Sequence, residues 1–438
     1  MQIFIDTLGC PKNVSDSEAA AGLLEEAGHR IVSDPEGADA IIVNTCGFIN
    51  DAKEESIDRI LEMAAYKEKG TALIVTGCLS QRYGNDLFKS LPEVDIFLGV
   101  NDYQRLPDIL EKFEEGKREK YIEAYDKEYI EFSARKNLGV SYTSYLKIAE
   151  GCDNVCAYCV IPSIRGKYRS RKQEEIVREA SRLAESGSRE LIIVAQDVTA
   201  YGIDIYGEYR LPQLLDELCV IDGIKWIRLM YCYEDRITDS LIEMIAFNDK
   251  ICNYLDIPIQ HASDKILFAM NRRSTKNSII ETIRKLRNAI PDIHIRTTLI
   301  TGFPGESEED FKELEELVRE MKFERLGVFA YSKEEGTIAA SMKDQVRKQT
   351  KLKRREKIMA LQREISLEHN LKQVGKSIEV LVEEQDDDGC YIGRSRYDAP
   401  EIDNSVIFSS DAKLKPGDFV TVKITDAFDY DLIGVSFK

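Results

Sequence analysis

No apolar run in this sequence approaches the roughly 20 residues that an α-helix needs to cross a bilayer. The first residues, MQIFIDTLGC, also lack the basic and apolar regions of a secretory signal. We therefore expect a soluble, cytoplasmic protein without a membrane partner. Ten cysteines in 438 residues are too few for a disulfide-stapled scaffold. In a reducing compartment, closely spaced thiols indicate metal binding or catalysis instead.

Positive charge is also scarce. The chain has 60 Lys plus Arg against 78 Asp plus Glu, a formal net charge of −18. This balance argues against a surface built mainly to neutralise phosphates, because non-specific nucleic-acid affinity comes from lysines and arginines that displace counterions. An acidic protein more naturally meets a basic partner.

Three regions with different patterns follow one another along the chain. Residues 1–125 alternate short β-branched runs with amphipathic helices, which predicts an open parallel sheet with helices on both faces. Residues 138–371 contain six strand-like runs separated by helices, which predicts a full or partial (β/α) barrel. Residues 373–438 contain five short strands without a helical pattern, which predicts a small antiparallel β-barrel. The charged segment 111–137 is predicted to connect the first two regions.

Three cysteines lie within eight positions in EGCDNVCAYCVIPSIRG, residues 150–166. Cys152, Cys156 and Cys159 are spaced C-x3-C-x2-C, and no fourth cysteine or histidine is nearby. A zinc site completed by a distant residue, or a simple cysteine-rich turn, is one explanation. The other is that the three thiols hold three irons of a [4Fe–4S] cube and leave the fourth iron open to a small molecule.

This stretch resembles the radical S-adenosylmethionine superfamily. The shared features are the cysteine spacing, its place after the first strand of a (β/α) barrel, and an aromatic residue, Tyr158, before the last cysteine. The resemblance implies that the amino and carboxylate groups of S-adenosylmethionine chelate the open iron. It also implies that electron transfer cleaves this cofactor to a 5′-deoxyadenosyl radical, with electrons from a donor that the sequence does not identify.

Three further cysteines end successive strands of the first region. They are Cys10 in FIDTLGCPKN, Cys46 in IIVNTCGF and Cys78 in LIVTGCLS, separated by about 32 to 36 residues. Ligands of an open parallel sheet bind outside the carboxyl ends of its strands, so the three thiols are expected to converge on a second cubane cluster. The alternative is that each one is a small buried hydrophobe.

The whole chain resembles the methylthiotransferases, which combine such a first domain, a radical barrel and a C-terminal barrel called TRAM. By this resemblance, the set at Cys152 generates the radical and the set at Cys10 carries or donates the sulfur. LGCPKNVSDSE (residues 8–18) and GRSRYDAPEID (residues 393–403) resemble the protein branch, which modifies the β-carbon of an aspartate in ribosomal protein S12. The RNA branch, which modifies an adenosine beside the anticodon of transfer RNA, usually has a glutamine where this chain has Pro11.

Charge favours the protein branch independently. From Gln373 onward, 14 acidic residues against 7 basic ones give a net charge of −7, which would repel a transfer-RNA backbone and attract a basic ribosomal protein. Asp398, Glu401 and Asp403 could face basic groups of that partner or merely solvate a loop. A non-catalytic metal- or RNA-binding protein is the alternative from another functional class.

Secondary candidates lie at other strand ends of the predicted barrel. In TGFPGES, Gly302 and Gly305 would let the backbone approach a ligand, and the resemblance puts this turn near the adenine of S-adenosylmethionine. Gln196 and Arg228 could touch the methionine or ribose portion of that cofactor. Radical hydrogen abstraction needs no acid or base, so His294 is expected to be a structural residue.

Overall fold

A computed structural model describes residues 1–68, 70–123, 131 and 135–436 of the chain. The first unit is a six-stranded, wholly parallel sheet in the order β2-β1-β3-β4-β5-β6. Its strands are β1 (Gln2–Thr7), β2 (Arg30–Val32), β3 (Ala40–Thr45), β4 (Ala72–Gly77), β5 (Ile96–Leu98) and β6 (Glu119–Tyr121). Its helices are α1 (Pro11–Glu26), α2 (Asn50–Ala64), α3 (Cys78–Ser90) and α4 (Leu106–Glu111). The predicted open α/β sheet is confirmed.

The apolar run of β3 explains why helices cover both faces of this sheet. Side chains alternate between faces along a strand. Ile42 packs in the cluster that contains Leu24 of α1, whereas Ile41 and Val43 pack in the opposite cluster with Ile60 of α2. A strand buried on both faces reads as continuous apolar sequence, as AIIV does here.

The second unit is a six-stranded parallel sheet in the order β14-β13-β12-β11-β10-β7, open between its two edge strands and therefore a partial barrel. These strands are β7 (Thr143–Lys147), β10 (Glu190–Val194), β11 (Trp226–Leu229), β12 (Ile251–Asp256), β13 (His294–Thr301) and β14 (Arg325–Ala330). A two-stranded ribbon, β8 (Ala149–Glu150) with β9 (Arg169–Ser170), follows β7.

Helices follow the strands of this partial barrel along the chain. In chain order they are α5 (Ile161–Arg165), α6 (Gln173–Glu185), α7 (Ile203–Tyr206), α8 (Leu211–Cys219), α9 (Asp239–Phe247), α10 (Asp264–Ala269), α11 (Lys276–Ala289), α12 (Glu308–Met321), α13 (Ile338–Ser341) and α14 (Lys348–Leu371). Ile358, Leu361 and Ile365 place the long helix α14 in the main core of the unit.

The third unit is a closed five-stranded barrel in the order β15-β16-β17-β19-β18. Its strands are β15 (Ser377–Gln385), β16 (Tyr391–Ser395), β17 (Val406–Ser410), β18 (Phe419–Ala427) and β19 (Leu432–Ser436). The five predicted strands are confirmed, and neighbouring strands are antiparallel except β17 and β19, which are parallel.

The predicted connection over residues 111–137 is described only in part. Residues 124–130 and 132–134 lie outside the described residues. The part before them contains β6, which extends the first sheet by pairing in parallel with β5. Among the helices that the structure describes, none has the length and apolarity required to pass through a bilayer.

Candidate active site between two cysteine sets

The first cysteine set lies at the carboxyl edge of the first sheet. Cys10 directly precedes α1, Cys46 directly follows β3, and Cys78 is the first residue of α3 after β4. Since β1, β3 and β4 are neighbours in the sheet, their ends meet. Gly9 shows how tight this meeting is, because a Cβ built on it would lie 2.8 Å from Cβ and 3.2 Å from Sγ of Cys46.

The three thiols of this set influence one another electrostatically. Burial, with smaller contributions from Cys78 and Cys10, raises the pKa of Cys46 to about 11. Burial also raises the pKa of Cys78, against the opposing charge of Arg165 and with a contribution from Cys10. The structure therefore brings together the three strand-end cysteines that the sequence singled out.

The second cysteine set lies on the loop between β8 and α5. Cys152 and Cys156 are buried and Cys159 is half-buried. The Cys156 Sγ lies 3.1 Å from the Tyr233 hydroxyl oxygen, and the Ile161 amide donates a hydrogen bond of 3.4 Å to the Cys159 Sγ. Burial raises the pKa of Cys152 to about 11.

All six cysteines are free thiols, and their donor chemistry suits iron–sulfur clusters. Within the part of the chain that the structure describes, no group of three Cys, His, Asp or Glu residues has the geometry to hold a single metal ion. A cube distributes its thiolate ligands over different irons, so its ligands are farther apart than those of one zinc ion. The buried thiols would lose their protons on binding iron, since the thiolate is the metal ligand.

A buried network of charges joins the two sets. The Arg165 side chain is 1% exposed. Its Nε donates to the Cys78 Sγ at 3.4 Å, and one terminal nitrogen lies 3.0 Å from both Asp16 and Glu150. Lys147 also pairs with both carboxylates. Because Glu150 is two residues before Cys152, a single guanidinium spans from one cysteine set to the loop of the other.

These cations decide the charge of Glu150. Burial raises the pKa of its carboxyl, but Arg165 and Lys147 outweigh burial and hold the pKa well below its ordinary value. The predicted residue Gln196 belongs to the same network, since its side-chain amide donates to Glu150 at 3.0 Å. The other end of that amide, Oε1, is buried without a hydrogen-bond partner in the structure. Gln196 therefore has an acceptor available at the cysteine loop.

Lys12 is a second buried cation of the site. The residue is 8% exposed, and its ammonium lies 3.5 Å from the centroid of the Tyr231 ring. Burial lowers the pKa of Lys12, but Tyr231 and Cys10 outweigh that effect and the pKa stays above its ordinary value. Burial raises the pKa of Cys159, and the charge of Lys12 opposes that rise. The ammonium is therefore within electrostatic reach of a cysteine from each set.

Further polar contacts fix the loop that carries the second set. The Asn154 amide donates to Asp197 at 2.8 Å, and Asp197 is paired with Arg236. Beside it, Arg272 and Glu234 form a buried ion pair of 2.8 Å. The Arg272 guanidinium lies 4.2 Å from the centroid of the Tyr233 ring, the ring whose hydroxyl contacts Cys156.

A cleft of about 850 Å³ opens beside this loop. The predicted residue Tyr158 lines it, together with Phe48 and Glu54 from the start of α2 and Ile300 and Lys351 from the partial barrel. The cleft thus lies between the first two units, and its size suits a small-molecule ligand. Tyr158 is the predicted cofactor residue that this cleft exposes.

The predicted glycine turn lies at the end of β13. The Gly302 amide donates to Glu306 at 2.7 Å, so the first backbone donor of the turn binds within the turn itself. A Cβ on Gly302 would lie 2.2 Å from the Lys351 side chain, whereas one on Gly305 would meet nothing within 4 Å. Only Gly305 leaves open space beside the backbone.

Arg228 and two acidic residues of the third unit do not lie where the sequence suggested. Arg228 is fully buried and donates to Glu190 at 2.9 Å and to the backbone carbonyl of Arg396 in the third unit at 2.9 Å, so an interdomain contact replaces the expected cofactor contact. Asp398 and Asp403 are buried and face Arg325 and Arg296 of the partial barrel. The two carboxylates are therefore not free for a partner, whereas Glu401 is exposed.

Three residues of the site were not predicted from the sequence: Lys12, Arg165 and Tyr231. Lys12 and Arg165 lie within the quoted stretches LGCPKNVSDSE and EGCDNVCAYCVIPSIRG, so their closeness to the cysteines was the available signal. Tyr231 follows β11 with a φ of 59°, a left-handed conformation that non-glycine residues rarely adopt. No sequence pattern marks that position.

Three family models match successive parts of the chain. They are the uncharacterized protein family UPF0004 over residues 2–99, the radical SAM superfamily over residues 146–318 and the TRAM domain over residues 374–436. "SAM" is the abbreviation of S-adenosylmethionine. The three matches lie in the first, second and third units, respectively.

Two similar full-length relatives are each named ribosomal protein uS12 methylthiotransferase RimO. The protein of Desulforamulus reducens is 54% identical over 434 residues, and that of Thermoanaerobacter sp. (strain X514) is 50% identical over 438 residues; each match covers 98% of both chains. Among solved structures, the radical S-adenosylmethionine methyltransferase TsrM from Kitasatospora setae, with cobalamin and a [4Fe–4S] cluster bound, has a TM-score of 0.54 at 14% identity. That match covers 75% of this chain and 74% of that chain, and it shows a shared fold.

Proposed function

Because this chain belongs to the RimO family of ribosomal protein uS12 methylthiotransferases, we propose that it attaches a methylthio group to the β-carbon of an aspartyl residue in ribosomal protein uS12. The observation that supports this most directly is the reach of Arg165, which contacts the Cys78 thiol and the Glu150 carboxylate beside Cys152. A reaction that joins a carbon radical to a sulfur atom requires its two sites to be this close.

Two [4Fe–4S] clusters are part of the proposal. Cys152, Cys156 and Cys159 would hold the cluster that binds S-adenosylmethionine, and Cys10, Cys46 and Cys78 would hold the second. When bound, these groups supply the radical that removes a β-hydrogen, the inserted sulfur and the methyl group. Tyr158, Gln196, Gly302 and Gly305 are proposed to contact S-adenosylmethionine.

The chain's own residues then have three tasks. Burial of Cys78, Cys152 and Cys156 limits the access of water, which would otherwise reach the reactive species. Arg165 and Lys147 hold Asp16 of the first unit against Glu150 of the second, which fixes the distance between the two sets. Asn154 and Tyr233 support the radical-generating loop through contacts with Asp197 and Cys156.

Charge and sequence pattern complete the proposal. The third region carries a net charge of −7, which favours a basic ribosomal protein over transfer RNA as the partner. We propose a cytoplasmic enzyme that takes electrons from an external donor. Its proposed domains are residues 1–125, 138–371 and 373–438.

Mass spectrometry of ribosomal protein uS12, isolated from cells with and without this protein, tests the substrate. We expect uS12 to carry the added mass of a methylthio group only when the protein is present. If uS12 is unchanged while a transfer RNA gains the group, the substrate is the RNA.

Metal analysis tests the class of function. After anaerobic reconstitution we expect about eight irons per chain, because each cube contains about four. Cys46→Ala and Cys156→Ala should each lose about half of the iron, and only the second should abolish reductive cleavage of S-adenosylmethionine. Zinc without iron would instead support a non-catalytic metal-binding protein.

A further inference from the structure

Lys12 is a buried cation beside the first cysteine set, with 8% of the residue exposed. Among the described residues no carboxylate forms an ion pair with its ammonium, and its contact is the face of the Tyr231 ring at 3.5 Å. The carboxylate recorded as acting on Lys12, that of Glu150, already binds Arg165 and Lys147. Burying a charge without a counter-ion is energetically unfavourable, so this arrangement needs an explanation.

The neighbouring backbone is also held in an unfavourable conformation. Tyr231 has a φ of 59°, which costs on the order of 1–3 kcal/mol for a non-glycine residue. Its amide donates to Asp256 at 3.1 Å, and its carbonyl accepts from the Val198 amide at 3.1 Å. These contacts fix the ring under Lys12. A ring attracts an ammonium through its face and accepts no conventional hydrogen bond there, so N–H donors of Lys12 remain available.

The position of this cation fits one particular ligand. Lys12 is two residues from Cys10 of the first unit, and its ammonium lies 3.5 Å from the centroid of the Tyr231 ring in the second unit. The proposed substrate is an aspartyl residue, whose carboxylate is bonded directly to the carbon that would be modified. Resting on that proposed function, we infer that Lys12 binds the carboxylate of the target aspartate and so selects an acidic side chain and orients its β-carbon between the two cysteine sets.

S-adenosylmethionine also has a carboxylate, but the geometry favours the substrate. Lys12 belongs to the first unit and adjoins the set proposed to supply sulfur. The cofactor is proposed to bind at the other set, where the half-buried Gln196 offers an unpaired acceptor. A cation beside the sulfur-supplying set is better placed for the residue that receives the sulfur.

A binding cycle with the reconstituted holoenzyme tests this inference. The wild-type enzyme, Lys12→Met and Lys12→Arg are each titrated with uS12 and with uS12 whose target aspartate is changed to asparagine. We expect the wild type and Lys12→Arg to prefer the aspartate by about ten- to hundred-fold, the range for one hydrogen bond to a charged group. Lys12→Met should show no preference. A preference that survives in Lys12→Met would overturn the inference.

Two controls make the result specific. Lys67→Met removes a lysine of the same unit whose ammonium binds Asp95 at 2.7 Å, and it should keep the wild-type preference. Iron content and the affinity for S-adenosylmethionine are measured for every variant. If Lys12→Met weakens S-adenosylmethionine binding and leaves the aspartate preference intact, Lys12 serves the cofactor and the inference is wrong.

Amine labelling of the wild-type enzyme answers the same question without any variant that might misfold. We expect uS12 to protect Lys12 from labelling and the asparagine form of uS12 to give no protection. Equal protection by both forms would contradict the inference. In parallel, wild-type turnover of uS12 is followed by mass. If the enzyme modifies uS12 but both forms of uS12 protect Lys12 equally, only this inference is refuted. If the enzyme never modifies uS12, the proposed function is refuted.

Discussion

Arg165 carries a full charge in a place that water does not reach. Its guanidinium is shared by Asp16, Glu150, Asn13 and the Cys78 thiol, so it neutralises two buried carboxylates together with Lys147. A buried ion pair contributes little compared with apolar packing, but removal of one partner leaves the other charge unpaired. The energetic importance of Arg165 therefore lies in what its loss would expose.

We expect Arg165→Met to lower the free energy of unfolding by about 3–5 kcal/mol, because Asp16 and Glu150 would then have only Lys147 as counter-ion. Arg165→Lys should fall between this variant and the wild type, since an ammonium keeps the charge but cannot reach all partners. Denaturant unfolding followed by circular dichroism measures the difference.

The matched control for this prediction is Arg178→Met. Arg178 is 61% exposed and pairs with Glu175 one helical turn away, so its loss should change stability by no more than about 0.5 kcal/mol. If Arg165→Met lowers the free energy of unfolding no more than Arg178→Met does, the buried network does not stabilise the folded protein.

Individual site residues could be predicted from the sequence where their role depends on their spacing along the chain. The six cysteines could be singled out because their positions follow strand ends, and the structure gathers each set of three. Lys12 and Arg165 could not be assigned, because their roles depend on partners far along the chain. Arg165 meets Cys78 across 87 positions and Asn13 across 152, and no local pattern encodes such contacts.

At the scale of elements, two glycines in the turn between β13 and α12 form a natural pair for comparison. Both have positive φ values, 73° for Gly302 and 82° for Gly305. They differ in surroundings, because a Cβ at Gly302 would overlap the Lys351 side chain while the space beside Gly305 is open. The turn therefore separates the effect of backbone conformation from the effect of crowding.

Gly305→Ala should lower the free energy of unfolding by about 1–2 kcal/mol, the usual difference for a side chain in the left-handed region. Gly302→Ala should lower it by about 1–3 kcal/mol more, since α14 must also move away from the added methyl. Thermal unfolding of the two variants checks the order. If both variants lose the same free energy of unfolding, the Lys351 side chain moves away from the added methyl group without cost and α14 does not crowd this turn.

The elements themselves show what a sequence pattern can and cannot predict. Long β-branched runs such as those of β3 and β4 were identified because burial dictates their composition. The strands β2 and β6 were not, because three residues are too few to show a period. The helix α3 was also missed: it begins at Cys78, inside a stretch that the pattern assigned to the preceding strand.

For the molecule as a whole, the third unit packs directly against the partial barrel. Trp226 meets Phe419 at 4.7 Å between ring centroids, and buried ion pairs join Arg394 to Glu190 and Arg325 to Asp398. This interface explains why Asp398 and Asp403 do not face a partner, although the sequence allowed that role. A carboxylate that faces solvent and one that faces an arginine of another domain have the same letter in the sequence.

His294 makes this interface sensitive to acid. Its ring stacks on Tyr397 of the third domain with centroids 4.2 Å apart, and its Nδ1 lies 3.1 Å from the Asp292 carbonyl oxygen. Burial and the charge of Arg325 lower the pKa of His294 to about 4, against the opposing effects of Glu324 and Asp398. The folded protein therefore keeps His294 neutral at pH values where the unfolded chain protonates it.

We expect the free energy of unfolding to fall as the pH drops from 6.5 to 4, because in this window the unfolded chain binds a proton that the folded protein excludes. The difference between the pKa of about 4 and the ordinary value of 6.5 corresponds to a loss of up to about 3 kcal/mol. His294→Phe keeps an aromatic ring on Tyr397 and removes the titrating group, so its stability should fall less across the window. Above pH 6.5, where His294 is neutral in both states, the two proteins should show parallel curves. Identical losses between pH 6.5 and 4 would mean that His294 does not couple protonation to the interface of the second and third domains.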